Sequence, residues 1–118
     1  MPNPDRSSSS SQTPQTKPRK PDEFVLVVVS QRKFNLGRIV ITASANAVLT
    51  SDDANTALMR HSSCDWGDVC DDDKKVNELG VREKGMILSA YHSAKGECFW
   101  VITDPGHEVT TVLLPEDY

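Results

Sequence analysis

Apolar and polar positions are most regularly ordered in the last third of the chain, Met86–Tyr118, which predicts three short strands joined by two tight turns. Met86–His92 runs into Ser93-Ala94-Lys95-Gly96, a hairpin connection. Glu97–Thr103 places Cys98, Trp100 and Ile102 on one face and Phe99 and Val101 on the other. Apolar on both faces, it is expected in the middle of a covered sheet, with Trp100 and Phe99 as core. Asp104-Pro105-Gly106 is a turn, since proline pre-sets its backbone angle and glycine permits a positive one. Val109–Leu114 is the last strand, closed by Pro115, which cannot donate to a ladder.

Upstream, Phe24–Ser30 reads as a strand or extended lead-in, and Leu36–Ala43 as a further strand. Ile39 and Ile41 share one face of the latter and Arg38, Val40 and Thr42 the other, a mixture that suits a position near a sheet edge. Ser44–Leu49 suggests one helical turn. Thr50 or Ser51 then caps a helix with Asp52 and Asp53 in its first turn, where the helix dipole favours negative charge. Ala54, Ala57, Leu58 and His61 form its apolar stripe, and Ser62-Ser63 ends it. Cys64–Asp73 is a loop around Gly67. A second helix is expected from about Asp71 to Lys84, with Val76 and Leu79 inward, Gly80 shortening or bending it, and Gly85 as its stop. The fold class is α+β: a small antiparallel sheet, made of the C-terminal three-stranded meander plus one or two N-terminal strands, with two short helices on one face.

Composition changes this picture at the N-terminus. Residues 1–22 hold five of the seven prolines and a run of five serines, so they are expected to be a disordered tail ahead of a single domain, 23–118. The tail carries a net +2 and the domain −6. An acidic body disfavours direct nucleic-acid binding and suits a basic protein partner. Cys64, Cys70 and Cys98 are an odd set without a secretory signal, which points to a reducing cytoplasm. The longest apolar run, Phe24–Val29, has six residues, far short of the roughly twenty that a spanning helix needs, so no membrane role is expected.

His61, Asp65, Asp68, Asp71, Asp72 and Asp73 are the densest cluster of candidate ligands. Carboxylates can hold a hard divalent cation, but the spacing fits no calcium loop, and helix capping explains the same residues. His61, Cys64 and Cys70 lack the paired spacing of a zinc site, and a Cys64 nucleophile near His61 lacks an orienting third group. No metal and no cofactor is therefore assigned. Trp66, between two aspartates, would anchor an interface if exposed and pin its loop if buried. Ser89, Tyr91, Thr103 and Thr110 could line a groove, although cross-strand threonine pairing accounts for them with less. Glu116, Asp117 and Tyr118 make an acidic-aromatic tip. Phosphate loops, dinucleotide fingerprints, serine elbows and HExxH are absent from the sequence.

Leu36-Gly37-Arg38-Ile39-Val40, His61, Asp65-Trp66-Gly67-Asp68, Asp73-Lys74, Asn77, Ile87-Leu88-Ser89-Ala90-Tyr91, Trp100-Val101-Ile102-Thr103 and Thr110–Tyr118 together form a longer pattern. It resembles a family of small bacterial proteins usually labelled plasmid-related protein, over most of the expected domain. Some relatives carry the label type I restriction subunit M. A DNA methyltransferase needs a cofactor-binding fold and an Asn-Pro-Pro-aromatic motif, and this chain has neither. It departs from the family pattern at Cys64, where a small residue is expected, and near His107, where an arginine is expected. The resemblance implies a mobile-element context, hence a non-catalytic interaction protein that modulates a host nucleic-acid enzyme or defence system through a basic surface. The contact residues would be Asp65, Trp66, Asp68, Asp71, Asp72, Asp73, Glu116 and Tyr118. The alternative is a metal-dependent nuclease or hydrolase using His61, Asp65 and Asp68. Pairing of exposed sheet edges into a homodimer stays open.

Overall fold

The computed structural model of this chain describes residues 32–118. The Ser/Pro-rich segment 1–22 and the strand expected at Phe24–Ser30 lie outside the described residues. The elements run β1 (Arg38–Ile41), α1 (Ala43–Val48), α2 (Ser51–Ser62), α3 (Asp71–Glu83), β2 (Ile87–His92), β3 (Cys98–Thr103), β4 (Val109–Leu113) and a 3-10 turn at Pro115–Asp117.

The four strands form one sheet in the order β1-β4-β3-β2. The two C-terminal hairpins pair antiparallel, from Ile87↔Thr103 to His92↔Cys98 and from Trp100↔Leu113 to Thr103↔Thr110. The expectation of an antiparallel sheet fails at one place: β1 lies parallel to β4, from Arg38↔Val109 to Ile41↔Val112. Three helices separate β1 from β2, so no hairpin ties its direction to a neighbour and the free flank of β4 accepts it.

On one sheet face, Tyr91, Phe99, Val101 and Val112 meet Ala45 of α1, Leu49 and Ala57 of α2, with Leu114 closing the cluster. A second cluster joins Phe34, Leu36, Trp66 and Ile87. Phe99 is core, as expected; Trp100 points to the opposite face, half-buried, with its ring edge-on to Tyr118 at 5.8 Å.

Helix α2 starts where the sequence places it. Thr50 accepts from the Asp53 amide, and the Asp53 carboxylate accepts from the Thr50 amide, each at 3.0 Å. The second Asp53 oxygen accepts from the Ala94 amide at 3.0 Å, tying the helix start to the β2–β3 hairpin. The α2 stripe also holds, with Ala57 and His61 buried.

Helix α3 does not pack as the periodicity suggests. Val76 and Leu79 are 58% and 49% exposed, while Asn77 and Gly80 face the sheet. A Cβ on Gly80 would lie 2.7 Å from the Met86 carbonyl oxygen, so glycine here permits close approach rather than a bend. The helix ends at Lys84, which adopts the left-handed conformation (φ 57°) one residue before Gly85.

Candidate functional site

The sequence motifs converge on the sheet edge formed by β2 and on the core beneath it. His61, from α2, is fully buried. Its Nδ1 lies 2.6 Å from Ser89 Oγ and its Nε2 lies 2.9 Å from Thr103 Oγ1. Thr103 and Thr110, paired across β3 and β4, have hydroxyls 2.7 Å apart, and Thr110 donates to the Leu36 carbonyl at 2.6 Å. That carbonyl can only accept, which orients the whole chain of bonds. Thr110 donates to Leu36, Thr103 to Thr110, His61 Nε2–H to Thr103, and the Ser89 hydroxyl to His61 Nδ1. Every group is satisfied with the imidazole neutral. Burial, helped by His107, pushes the His61 pKa down from 6.5 to about 3.

A serine beside a histidine invites a nucleophilic reading, and the surroundings exclude it. Ser89 is completely buried, and a threonine hydroxyl stands where a carboxylate would orient the imidazole. Ser89, Thr103 and Thr110 are thus core and line no groove together, while Tyr91, also buried, lies in the wall of a separate groove with Arg60 and Phe99.

Asp65-Trp66-Gly67-Asp68 fastens the loop after α2 to the outer edge of β2. Ala90 N–H donates to the Trp66 carbonyl at 3.0 Å, and Asp68 N–H donates to the Ala90 carbonyl at 2.8 Å. Between them Gly67 (φ 72°) crosses so closely that a Cβ would fall 2.0 Å from the Ala90 oxygen. Trp66 is buried and pins the loop, so it offers no interface anchor. Arg60 grips both Asp65 oxygens, at 2.7 and 3.2 Å, and holds that carboxyl below its ordinary range. The same guanidinium sits 4.6 Å above the Tyr91 ring, whose hydroxyl donates to the Asp65 carbonyl at 2.6 Å. Further along β2, the Asn77 side chain acts as a substitute strand: Leu88 N–H donates to Oδ1 at 2.9 Å and Nδ2 donates to the Leu88 carbonyl at 2.8 Å.

The trio of His61, Asp65 and Asp68 is therefore not assembled. His61 points into the core, Asp65 is held by Arg60, and Asp68 approaches His92 at 3.3 Å. Among the described residues, no group of three or more His, Cys, Asp or Glu side chains could hold a metal. Cys64 is half-buried against the Trp66 cluster, burial raises its thiol pKa, and both ring nitrogens of His61 are bonded elsewhere. His107 bonds the Gly85 carbonyl at 3.0 Å and stacks on Phe34, a packing role.

Asp68, Asp71, Asp72 and Asp73 face solvent, the last three in the first turn of α3. The only ion pair of that turn among the described residues is Lys74 to Asp71, at 3.8 Å. Glu116 is exposed and Tyr118 is 77% exposed. Among the described residues, no hydrogen bond or ion pair joins this C-terminal tip to the α3 aspartates. Sequence reasoning missed Asn77 as the guard of Leu88 and the pairing of His61 with Ser89. The one signal for the latter was a histidine on an apolar helical stripe, with hydroxyls on a single strand face opposite. Comparisons with protein-family models, with curated proteins and with solved structures find no match.

Proposed function

We propose that this chain is a non-catalytic protein-interaction module whose acidic surface, Asp68 and Asp71–Asp73, docks on a basic surface of its partner. The carrying observation is a division of labour. Of the candidate catalytic side chains, His61 and Ser89 are buried, Asp65 is held by Arg60 and Cys64 is half-buried, while the α3 aspartates stand in solvent. Residues 32–118 carry nine cationic and fourteen anionic side chains, which adds long-range attraction to a cationic partner. A host nucleic-acid enzyme or a defence protein, with a groove built for phosphate, has the matching chemistry, and a mobile-element context would supply such a target. Glu116 and Tyr118 are a second exposed contact tip on this reading.

The test is capture of partners from nuclease-treated host lysate with the tagged full chain and with a variant carrying Asp71→Lys, Asp72→Lys and Asp73→Lys. A stoichiometric nucleic-acid enzyme that is captured by the wild type and lost with the variant is the expected result. Capture that survives the charge reversal removes the acidic-surface proposal.

A further inference from the structure

The two edges of the sheet are treated differently. The outer edge of β2 is occupied by the Asn77 amide and by the Trp66–Asp68 backbone. The outer edge of β1 has no such cover among the described residues. Arg38 N–H donates to the Glu108 carbonyl at 2.8 Å and Thr42 N–H to the Val112 carbonyl at 3.0 Å, so the even-numbered residues of β1 face β4. Ile39 and Ile41, alternating with them, direct their N–H and C=O groups outward. Unpaired backbone in an exposed edge is a template for another strand. The side chains match that role: Ile39, Val40 and Ile41 are 45%, 36% and 36% exposed. Beside them lies an open groove of about 280 Å³ whose walls include Ile39, Ile41, Leu49, Leu58 and Val112.

We propose that β1 is a dimerisation edge: β1 of a second copy pairs with it antiparallel about a two-fold axis at Val40, fusing the two four-stranded sheets into one. In this register Ile39 faces Ile41 of the second copy, and every outward N–H and C=O of the two isoleucines finds a partner. A register centred on Ile39 or on Ile41 leaves one isoleucine of each strand without an isoleucine opposite. The isoleucine side chains fall on the sheet face that carries the groove and extend its apolar wall across the axis.

Charge also selects a second copy as the occupant. Arg38 comes opposite Thr42 of the second copy, on the same strand face. Thr42 Oγ1 donates to Asp117 at 2.7 Å, and Ser44 Oγ donates to the same carboxylate at 2.6 Å. The Arg38 guanidinium of each copy thus meets the Asp117 carboxylate of the other, twice by symmetry. A strand of unrelated sequence satisfies the backbone but not this reciprocal pair.

Sedimentation velocity of the full chain over a concentration series tests the proposal, with hydrogen exchange as a second readout. A reversible dimer is expected, in which the Ile39 and Ile41 amides exchange slowly and lose protection on dilution. Val40→Arg, which sets two like charges on the axis at an exposed site, and Arg38→Glu, which faces Asp117, should each raise the dimer Kd about tenfold or more with an unchanged circular dichroism spectrum. A chain that stays monomeric at every concentration overturns the proposal. So does a dimer indifferent to both substitutions, or one in which the two amides exchange at the same rate at all concentrations.

Discussion

An imidazole with both nitrogens bonded in a dry core is stable there only while it stays neutral. His61 is held near pKa 3 against 6.5 for a free imidazole, so between those values the unfolded chain takes up a proton that the folded chain refuses. The stability contributed by neutral His61 is complete above about pH 6.5 and is lost as the pH falls towards 3, with a slope of up to about 1.4 kcal/mol per pH unit. Denaturant titrations at a series of pH values check this. His61→Leu should lower stability at pH 7, because Ser89 and Thr103 lose their partner, and should flatten the slope from pH 6.5 to 4.5. An unchanged slope in that variant assigns the acid sensitivity elsewhere. Gly67 is the other residue with no tolerance: at φ 72°, with a Cβ 2.0 Å from the Ala90 oxygen, alanine must break the bridge to β2. Gly67→Ala should cost about 3 kcal/mol or more in a thermal melt. The sequence marked both residues as notable. It could not show that the histidine's partners lie 28 and 42 residues away on two different strands.

At the level of elements, α3 inverts the usual relation between periodicity and packing. It meets β2 and the core beneath through the Asn77 amide, Gly80 and the half-buried Val81, with the apolar Val76 and Leu79 left in solvent. Asn77→Ala therefore orphans the Leu88 N–H and C=O and should destabilise the fold by about 2 kcal/mol. Val76→Gln with Leu79→Gln should change stability by no more than about 0.5 kcal/mol per site. Urea titrations compare the two, and the opposite order of costs would mean that α3 packs through its apolar stripe. The C-terminal strands and the start of α2 were legible because local rules set them: Pro105 and Gly106 punctuate a turn, and Thr50 with Asp53 closes a capping box. The facing of α3 was not, because it depends on which backbone groups of a strand sixteen residues away from the start of that helix need covering.

Over the whole molecule, excess negative charge and exposed α3 aspartates make any complex with a cationic partner sensitive to salt. Screening shortens from about 10 Å at 0.1 M to about 3 Å at 1 M ionic strength, so a captured partner should elute in a salt gradient and bind more slowly as salt rises. A complex that withstands 1 M salt would rest on apolar contact instead. Sequence by itself determined the α+β class, the two C-terminal hairpins, the capped α2 helix, the burial of Phe99 and the acidic balance of the chain. These follow from residue spacing, turn chemistry and charge, all of which act over a few positions or need only a sum. Tertiary structure decided the parallel seat of β1, the neutral His61 network, the occupation of the β2 edge by Asn77 and Gly67, and the separation of His61 from Asp65 and Asp68. Each of those is a pairing between distant segments, fixed by the need to satisfy buried polar groups, and no local pattern encodes it.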